Sequence, residues 1–280
     1  MLGSALVELK YGDFCSSIPV LIVKRGKNII GRDVLNQLTD NFVLNINTYG
    51  AELTLKDNSK PVFCKPRTLP FSMREKVRIK LEEMVNSGSL KPISTSEWGT
   101  PIVVVNKPNG DIRICGDYKV TLNPLLENKV STTSNIDDLL MQISKSKIFT
   151  RLDLANAYLQ IPLSAESIKL TTLTTPFGMY AHTCLPFGIK NSPAIFQNYL
   201  DKSLAGIEGC LSYQDDIIIF ADDKNEHDKI LEKVNNALNI AKLKVNENKC
   251  EYNKNKILYL GHMVSFGTIM LIYSELNVAI

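Results

Sequence analysis

The chain has 280 residues, 44% of them apolar and 22% charged, a composition that excludes disordered and collagen-like chains and leaves room for one or two packed domains. Its formal charge of +3 hides a gradient: residues 56–120 hold twelve Lys and Arg against seven Asp and Glu, whereas residues 121–280 hold fifteen against seventeen. A basic lobe beside a carboxylate-bearing lobe suits a polyanion held over a metal site, and equally a surface charged for solubility.

Residues 1–40 read as a small unit, with a strand-like run at 17–23, a polar turn at 24–28 and a second apolar run at 29–35; it is too short to bury a core unaided. Residues 50–70, broken by Pro61, Pro66 and Pro70, suit an extended linker or an arm laid over the next domain. A helix is predicted after it: Ser72 and Glu75 have capping-box spacing, Val77, Leu81, Met84 and Val85 share a face, and Gly88 ends it. Strand-like residues 102–105 and 112–115 flank a polar turn whose Asn109-Gly110 pair favours a hairpin. Lys107 and Arg113 stand near its two arms, so it reads as a phosphate grip or as a solvated ribbon.

Ser134 and Asp137 predict the cap of a second helix carrying Ile136, Leu139, Leu140 and Ile143. A strand over 147–152 then delivers Asp153, and the small Ala155 and Ala157 let a ligand approach the adjoining turn. A hairpin is expected around Pro176-Phe177-Gly178. Ser192 as N-cap and Pro193 at the first helical position start a helix with Ile195, Phe196, Tyr199, Leu200 and Leu204 inside. The run 211–220 places Asp215 and Asp216 in a turn between two apolar strands. A helix over 225–243 buries Ile230, Val234, Ala237, Leu238 and Ala241, and residues 259–263 form a short strand pair.

The adjacent carboxylates carry the chemistry. Each raises the other's pKa unless a cation neutralises both. Asp153, also at the end of an apolar strand, supplies a third oxygen donor, and three such aspartates suit Mg²⁺. By contrast the cysteines (15, 64, 115, 184, 210 and 250) form no Cys-x-x-Cys pair, and His182, His227 and His262 have no metal-ligand spacing. The thiols read as reduced in an intracellular, cytoplasmic or nuclear protein. No apolar run approaches the roughly 18 residues of a membrane span, and no secretory signal is recognisable.

Five blocks in this order, at residues 107–118, 151–162, 185–197, 213–216 and 260–262, resemble a reverse transcriptase of the Gypsy-class LTR retrotransposon or retroviral-like Pol polyprotein family. They include Leu185-Pro186-Phe187-Gly188 and Ser192-Pro193-Ala194-Ile195-Phe196-Gln197. The resemblance implies an α+β fold: right-hand polymerase fingers at 71–146, and a palm at 147–267 with part of the fingers at 162–184. The palm would be a split βαβ, ferredoxin-like antiparallel sheet covered by helices. Residues 43–70 would be the linker or arm, and 268–280 a divergent tail in place of the thumb. Residues 1–42 resemble the C-terminal end of a retropepsin-like aspartic protease, on the strength of Gly31-Arg32-Asp33; its catalytic motif does not occur there.

The implied activity is RNA-directed DNA polymerisation, adding dNMP to a primer 3′-hydroxyl through two Mg²⁺ ions, for which Mn²⁺ substitutes. Asp153, Asp215 and Asp216 would be the catalytic, metal-binding triad, with the Leu154 backbone at the metal and triphosphate. Lys107 and Arg113 would hold the β and γ phosphates. Tyr158 would be the steric gate against a ribose 2′-hydroxyl, Phe187 a nucleotide contact and Gln214 a neighbour of the primer end. Asp117, Tyr118 and Gln197 would shape the template track, and residues 260–263 would form a primer grip. The partners implied are an RNA or DNA template with primer, dNTP, and a partner Pol fragment or second copy, with no membrane. The alternative is a catalytically silent Pol remnant that binds nucleic acid or a partner chain.

Overall fold

Five consecutive apolar residues, from Ile217 to Ala221, require burial on both faces of the sheet that receives them. The computed structural model gives them that position, in an inner strand of a four-stranded sheet. The structure describes residues 3–11, 14–22, 50–107, 110–128 and 136–272. The chain divides into two units, Met1–Thr48 and Tyr49–Ile280.

In the first unit, β1 (Gly3–Tyr11) and β2 (Phe14–Ile22) form an antiparallel hairpin in register from Gly3 opposite Ile22 to Tyr11 opposite Phe14. The strand-like run predicted at 17–23 falls largely within β2, whereas the sequence pattern gives no expectation of β1. Residues 29–38, which carry the protease resemblance, lie outside the described residues.

The second unit runs α1 (Phe71–Asn86), β3 (Leu90–Ile93), β4 (Thr100–Asn106), β5 (Ile112–Gly116), α2 (Ile136–Ile143) and β6 (Ile148–Asp153). There follow α3 (Ala165–Leu170), β7 (Leu173–Thr175), β8 (Gly178–His182), α4 (Ser192–Ser203), β9 (Cys210–Tyr213), β10 (Asp216–Ala221) and α5 (Lys224–Ile240). Strands β11 (Glu251–Lys254), β12 (Lys256–Tyr259), β13 (His262–Ser265) and β14 (Thr268–Leu271) complete the unit. One sheet has the order β3-β8-β7-β4-β5, with a parallel β4–β7 step; the central antiparallel sheet is β11-β6-β10-β9; β12-β13-β14 form a third. Residues 50–70 lie against this unit as an arm: the Ala51 N–H donates to Pro162 O (2.7 Å), the Leu53 N–H to Ser167 Oγ (2.8 Å) and the Cys64 N–H to Gly99 O (2.8 Å).

Period-two alternation divides the core around the central sheet. Leu152, Ile217, Ile219 and Ala221 join Phe196 and Leu200 of α4 and Ile230, Val234 and Leu238 of α5 in the larger cluster. Phe149, Ile218 and Phe220 belong to a second cluster with Leu140 and Ile143 of α2 and with Ile257, Tyr259 and Val264. The sheet is therefore covered by helices, as expected, and its second face also carries the β12–β14 layer. The third strand of that layer lies in the segment predicted to diverge from residue 268.

Two predicted caps need correction. Pro70 stands at the N-cap of α1 with φ −52° and no side-chain cap, so Ser72 lies inside the first turn; the ring that fixes φ ends the extended arm earlier than the capping-box spacing indicated. Helix α4 starts at Ser192 with Asn191 at its N-cap, and the Ser192 hydroxyl donates back to Pro186 O (2.9 Å) instead of capping. Asn191 Nδ2 donates to Glu127 O (2.9 Å) and Lys190 Nζ to Leu126 O (2.6 Å), which ties residues 123–128 to the helix entry. Ser134 lies outside the described residues.

Candidate active site

Strand β6 ends in Asp153 and β10 begins with Asp216, and the register sets these two residues directly opposite one another. The Leu154 N–H donates to Asp215 O at 3.0 Å. That bond marks Asp153–Asp216 as the non-hydrogen-bonded type of antiparallel pair, with Cα atoms about 4.5 Å apart and both side chains on one face. Tyr213 is also opposite Asp216, so Gln214 and Asp215 form the two-residue turn of the β9–β10 hairpin.

Gln214 adopts φ +52°. A primed turn of this kind favours glycine at that position, and a side chain there costs about 1–2 kcal/mol. The surroundings offset the strain. The Gln214 N–H donates to Gln197 Oε1 of α4 (2.8 Å), while the next residue's carbonyl is held by Leu154. Leu154 also forms an antiparallel bridge with Val245.

Burial raises the Asp216 pKa, and Asp153 and Asp215 push it further, against the lowering effect of Arg151 and Lys249. Burial also raises Asp215, with Asp153 adding to it and Lys249 opposing. Asp215 Oδ1 is buried without a hydrogen-bond partner. An orphaned carboxylate oxygen amid like charges is what a cation would satisfy. Lys249 Nζ reaches only to 3.5 Å from Asp153 Oδ2. No three acidic, His or Cys side chains close into a ligand cage among the described residues. An open set of hard oxygens still suits Mg²⁺, which keeps waters and is commonly held by one or two carboxylates plus substrate phosphate. The donor set therefore fits, through Asp153, Asp215 and Asp216.

A continuous wall leads from these carboxylates to the β4–β5 hairpin. The chain leaves β6 through Asn156 at φ +49° into a 3₁₀ turn at 157–160, which turns Tyr158 back toward the site. Its ring lies 5.1 Å from the Phe187 ring and 5.4 Å, edge-on, from Phe196. Burial raises the Tyr158 phenol pKa, and Asp215 contributes, so the hydroxyl end feels the carboxylates. The Arg113 guanidinium sits 5.1 Å from the Phe187 centroid. Lys107, Arg113, Asn156 and Phe187 line a cavity of about 320 Å³ that extends to α1. Lys107 Nζ is 3.3 Å from Asp111 Oδ2, a carboxylate shared with Lys80, so it must exchange that partner to reach a phosphate. The structure thus brings Asp153, Leu154, Gln214, Asp215 and Asp216 to one sheet end, and a chain of contacts runs from Asp215 through Tyr158 and Phe187 to Arg113 of the other sheet, whose cavity Lys107 also lines.

Of the residues expected along a template track, Tyr118 and Gln197 are buried and Asp117 is paired. Tyr118 is 1% exposed, its hydroxyl donating to Thr171 O at 3.2 Å, and Gly116 and Gly188 press against its ring. It is a core residue. Asp117 pairs with Arg67 at 2.6 Å, and Gln197 is 7% exposed and faces the Asp-Asp turn. In residues 260–263, Leu260 (φ +48°) and Gly261 (φ +78°) make the two-residue turn joining β12 to β13.

Sequence reasoning missed several supports. Arg151 faces the same side as Asp153; its Nη1 donates to Leu258 O of the third sheet (2.9 Å), and its Nη2 pairs with Glu251 of the neighbouring strand β11 (2.8 Å). Gln160 clamps the turn after Asp153, donating to Ala155 O (2.7 Å) and accepting from the Lys244 N–H (2.7 Å). Lys249 is likewise absent from the prediction. The sequence signals none of them, because each acts on a partner far along the chain.

Comparisons with known proteins agree with this geometry. Residues 105–264 match the family model described as reverse transcriptase (RNA-dependent DNA polymerase). The retrovirus-related Pol polyproteins from transposons opus and 297 of Drosophila melanogaster are 34% and 33% identical over 73% and 78% of this chain. The chain spans about a fifth of these relatives, 21% of each. The crystal structure of prototype foamy virus protease-reverse transcriptase superposes with TM-score 0.68 at 28% identity, over 84% of this chain and 33% of that one. The foamy viral protease-reverse transcriptase in complex with RNA/DNA hybrid has the same fold, with TM-score 0.70 at 22% identity over 87% of this chain and 34% of that one. Since the family match covers both strands that carry the opposed aspartates and the hairpin between them, the chain belongs to the reverse transcriptase (RNA-dependent DNA polymerase) family.

Proposed function

We propose that this chain adds deoxynucleotides to a primer 3′-hydroxyl on a nucleic-acid template, with Asp153, Asp215 and Asp216 as the metal-binding triad. The single observation that carries the reading is the direct opposition of Asp153 and Asp216 beside Asp215, whose Oδ1 lacks a partner. Two divalent ions bound there would supply Lewis acidity at the primer hydroxyl and charge neutralisation at the triphosphate.

The chain's own residues do the rest. The three carboxylates would hold the cations on one sheet end, with the Leu154 backbone beside them. Arg113, kept in place by the Phe187 ring, offers a planar fork to the triphosphate, and Lys107 adds a mobile charge after leaving Asp111. Tyr158, wedged between Phe187 and Phe196, has little freedom to move aside, which supports its reading as the gate that excludes a 2′-hydroxyl and makes the product DNA. Gln214, at the tip of the strained turn, would lie beside the primer end. The RNA/DNA hybrid held by the foamy viral relative makes primed RNA the first template to try.

Primer extension at low salt, with Mg²⁺ or Mn²⁺ and a primed RNA template, tests the proposal. Distributive incorporation of dNTPs by the wild type, abolished by Asp215→Asn, is the expected result. Wild-type incorporation no higher than that of Asp215→Asn contradicts it and favours a nucleic-acid-binding remnant.

A further inference from the structure

Gln197 stands on the buried face of α4, and every polar atom of its amide is engaged. Oε1 accepts from the Gln214 N–H at 2.8 Å. Nε2 donates to Asp201 Oδ1 at 2.7 Å, with Ser212 Oγ at 3.1 Å and Ser212 O at 3.2 Å also in reach. Ser212 Oγ in turn donates to the same Asp201 oxygen at 3.0 Å. A side-chain amide offers an acceptor and a donor in one plane, and the Asp201 carboxylate fixes which end points where. The result is a brace from one turn of α4, through residues 197 and 201, to the end of β9 and the first residue of the hairpin tip.

The brace falls at the point of greatest need. Gln214 is held at φ +52°, and Asp215 with its unpartnered Oδ1 follows it immediately. From the opposite side the Leu154 N–H fixes Asp215 O. The Tyr213–Gln214 and Asp215–Asp216 peptides, which flank the turn, are thereby gripped from two elements, and together they set where the Asp215 carboxylate points. Without Gln197 the Gln214 N–H loses its acceptor, and the turn can relax toward a less strained backbone.

We propose that Gln197, with Asp201 and Ser212, is a positioning unit that preorganises the Asp215 turn for cation binding and does not contact the template. The proposal rests on the metal-site reading of the three aspartates, and it assigns Gln197 a role different from the template contact that its motif implied.

Selective ¹⁵N-glutamine labelling makes the Gln214 amide observable, and its hydrogen exchange is to be measured alongside Mn²⁺ binding, primer–template affinity and thermal stability. In Gln197→Met, which fills the same space without hydrogen bonds, the Gln214 amide should exchange about tenfold faster. Mn²⁺ affinity should fall about tenfold, as for lost outer-shell support, with primer–template affinity unchanged. Gln197→Glu combined with Asp201→Asn keeps an acceptor for Gln214 and reverses the polarity of the second contact, so it should recover slow exchange and Mn²⁺ binding. It also serves where Gln197→Met fails to fold. Unchanged exchange and Mn²⁺ affinity with weakened primer–template binding would overturn the proposal in favour of a template contact, as would failure of the double variant to recover slow exchange. Wild-type protein that binds no Mn²⁺ would defeat the proposed function, while the exchange comparison would still decide whether the brace exists.

Discussion

Asp215 and Asp216 show how a cluster of buried carboxylates can weaken the fold that carries it. A carboxylate whose folded pKa is raised binds more protons folded than unfolded, so stability falls as pH climbs from the unfolded value through the folded one and stays reduced above it. Burial and the neighbouring aspartates raise both groups. In metal-free protein Asp215→Asn should therefore raise the melting temperature at pH 7, and raise it less at mildly acidic pH. Added Mg²⁺ should stabilise the wild type and have less effect on that variant; calorimetry with and without EDTA reads all three. His182 acts in the opposite sense. It is 3% exposed with both ring nitrogens unpartnered, and burial depresses its pKa from 6.5 to about 4. Its contribution is complete above pH 6.5 and is lost as pH falls toward 4, about 3 kcal/mol over the window. His182→Phe should flatten that acid limb in urea denaturation across the same range. Tyr158→Val should admit ribonucleotides, raising their use relative to dNTPs by about tenfold in single-nucleotide incorporation.

At the level of elements, α5 supplies packing and no chemistry. Val234 is fully buried within the cluster that joins this helix to the central sheet, so Val234→Ala should cost about 2 kcal/mol in chemical denaturation with Mn²⁺ affinity unchanged. Much of this layer was legible. The spacing of Ile230, Val234 and Leu238 marks the buried stripe of α5, and the unbroken apolar run of β10 marks an inner strand. Asp215 and Asp216 were recognisable because two like charges between apolar strands are costly unless a ligand neutralises them. The brace on that turn was hidden, since nothing local to Gln197 indicates that its amide meets residue 214. The burial of Tyr118 was hidden too: its place in the motif implied a template contact, and only the folded chain shows its ring enclosed, with Gly116 leaving no room for a side chain against it. The predicted caps at Ser72 and Ser192 each failed because a neighbouring residue set the boundary first.

On the scale of the whole molecule, the excess of cations over residues 56–120 belongs to α1, the β4–β5 hairpin and the segments around them. Primer–template binding through such a surface releases counterions. Its affinity should fall about 100-fold between about 50 and about 200 mM salt if roughly four phosphates are neutralised, which filter binding at several salt concentrations would measure. Among the described residues no helix is long and apolar enough to cross a membrane, and Cys64, Cys115, Cys184, Cys210 and Cys250 are free thiols. In the proposed function β6 and the β9–β10 hairpin together build a cation-dependent nucleotidyl-transfer site. Addition of one nucleotide to a preformed primer–template, with protein in saturating excess, tests it most directly because repeated clamping is not required. The wild type should extend the primer by one nucleotide with Mg²⁺ or Mn²⁺, and Asp153→Asn should reduce the rate by about 1,000-fold, equivalent to about 4 kcal/mol of transition-state stabilisation. Equal extension by the two proteins, or none by the wild type at saturation, would contradict the account.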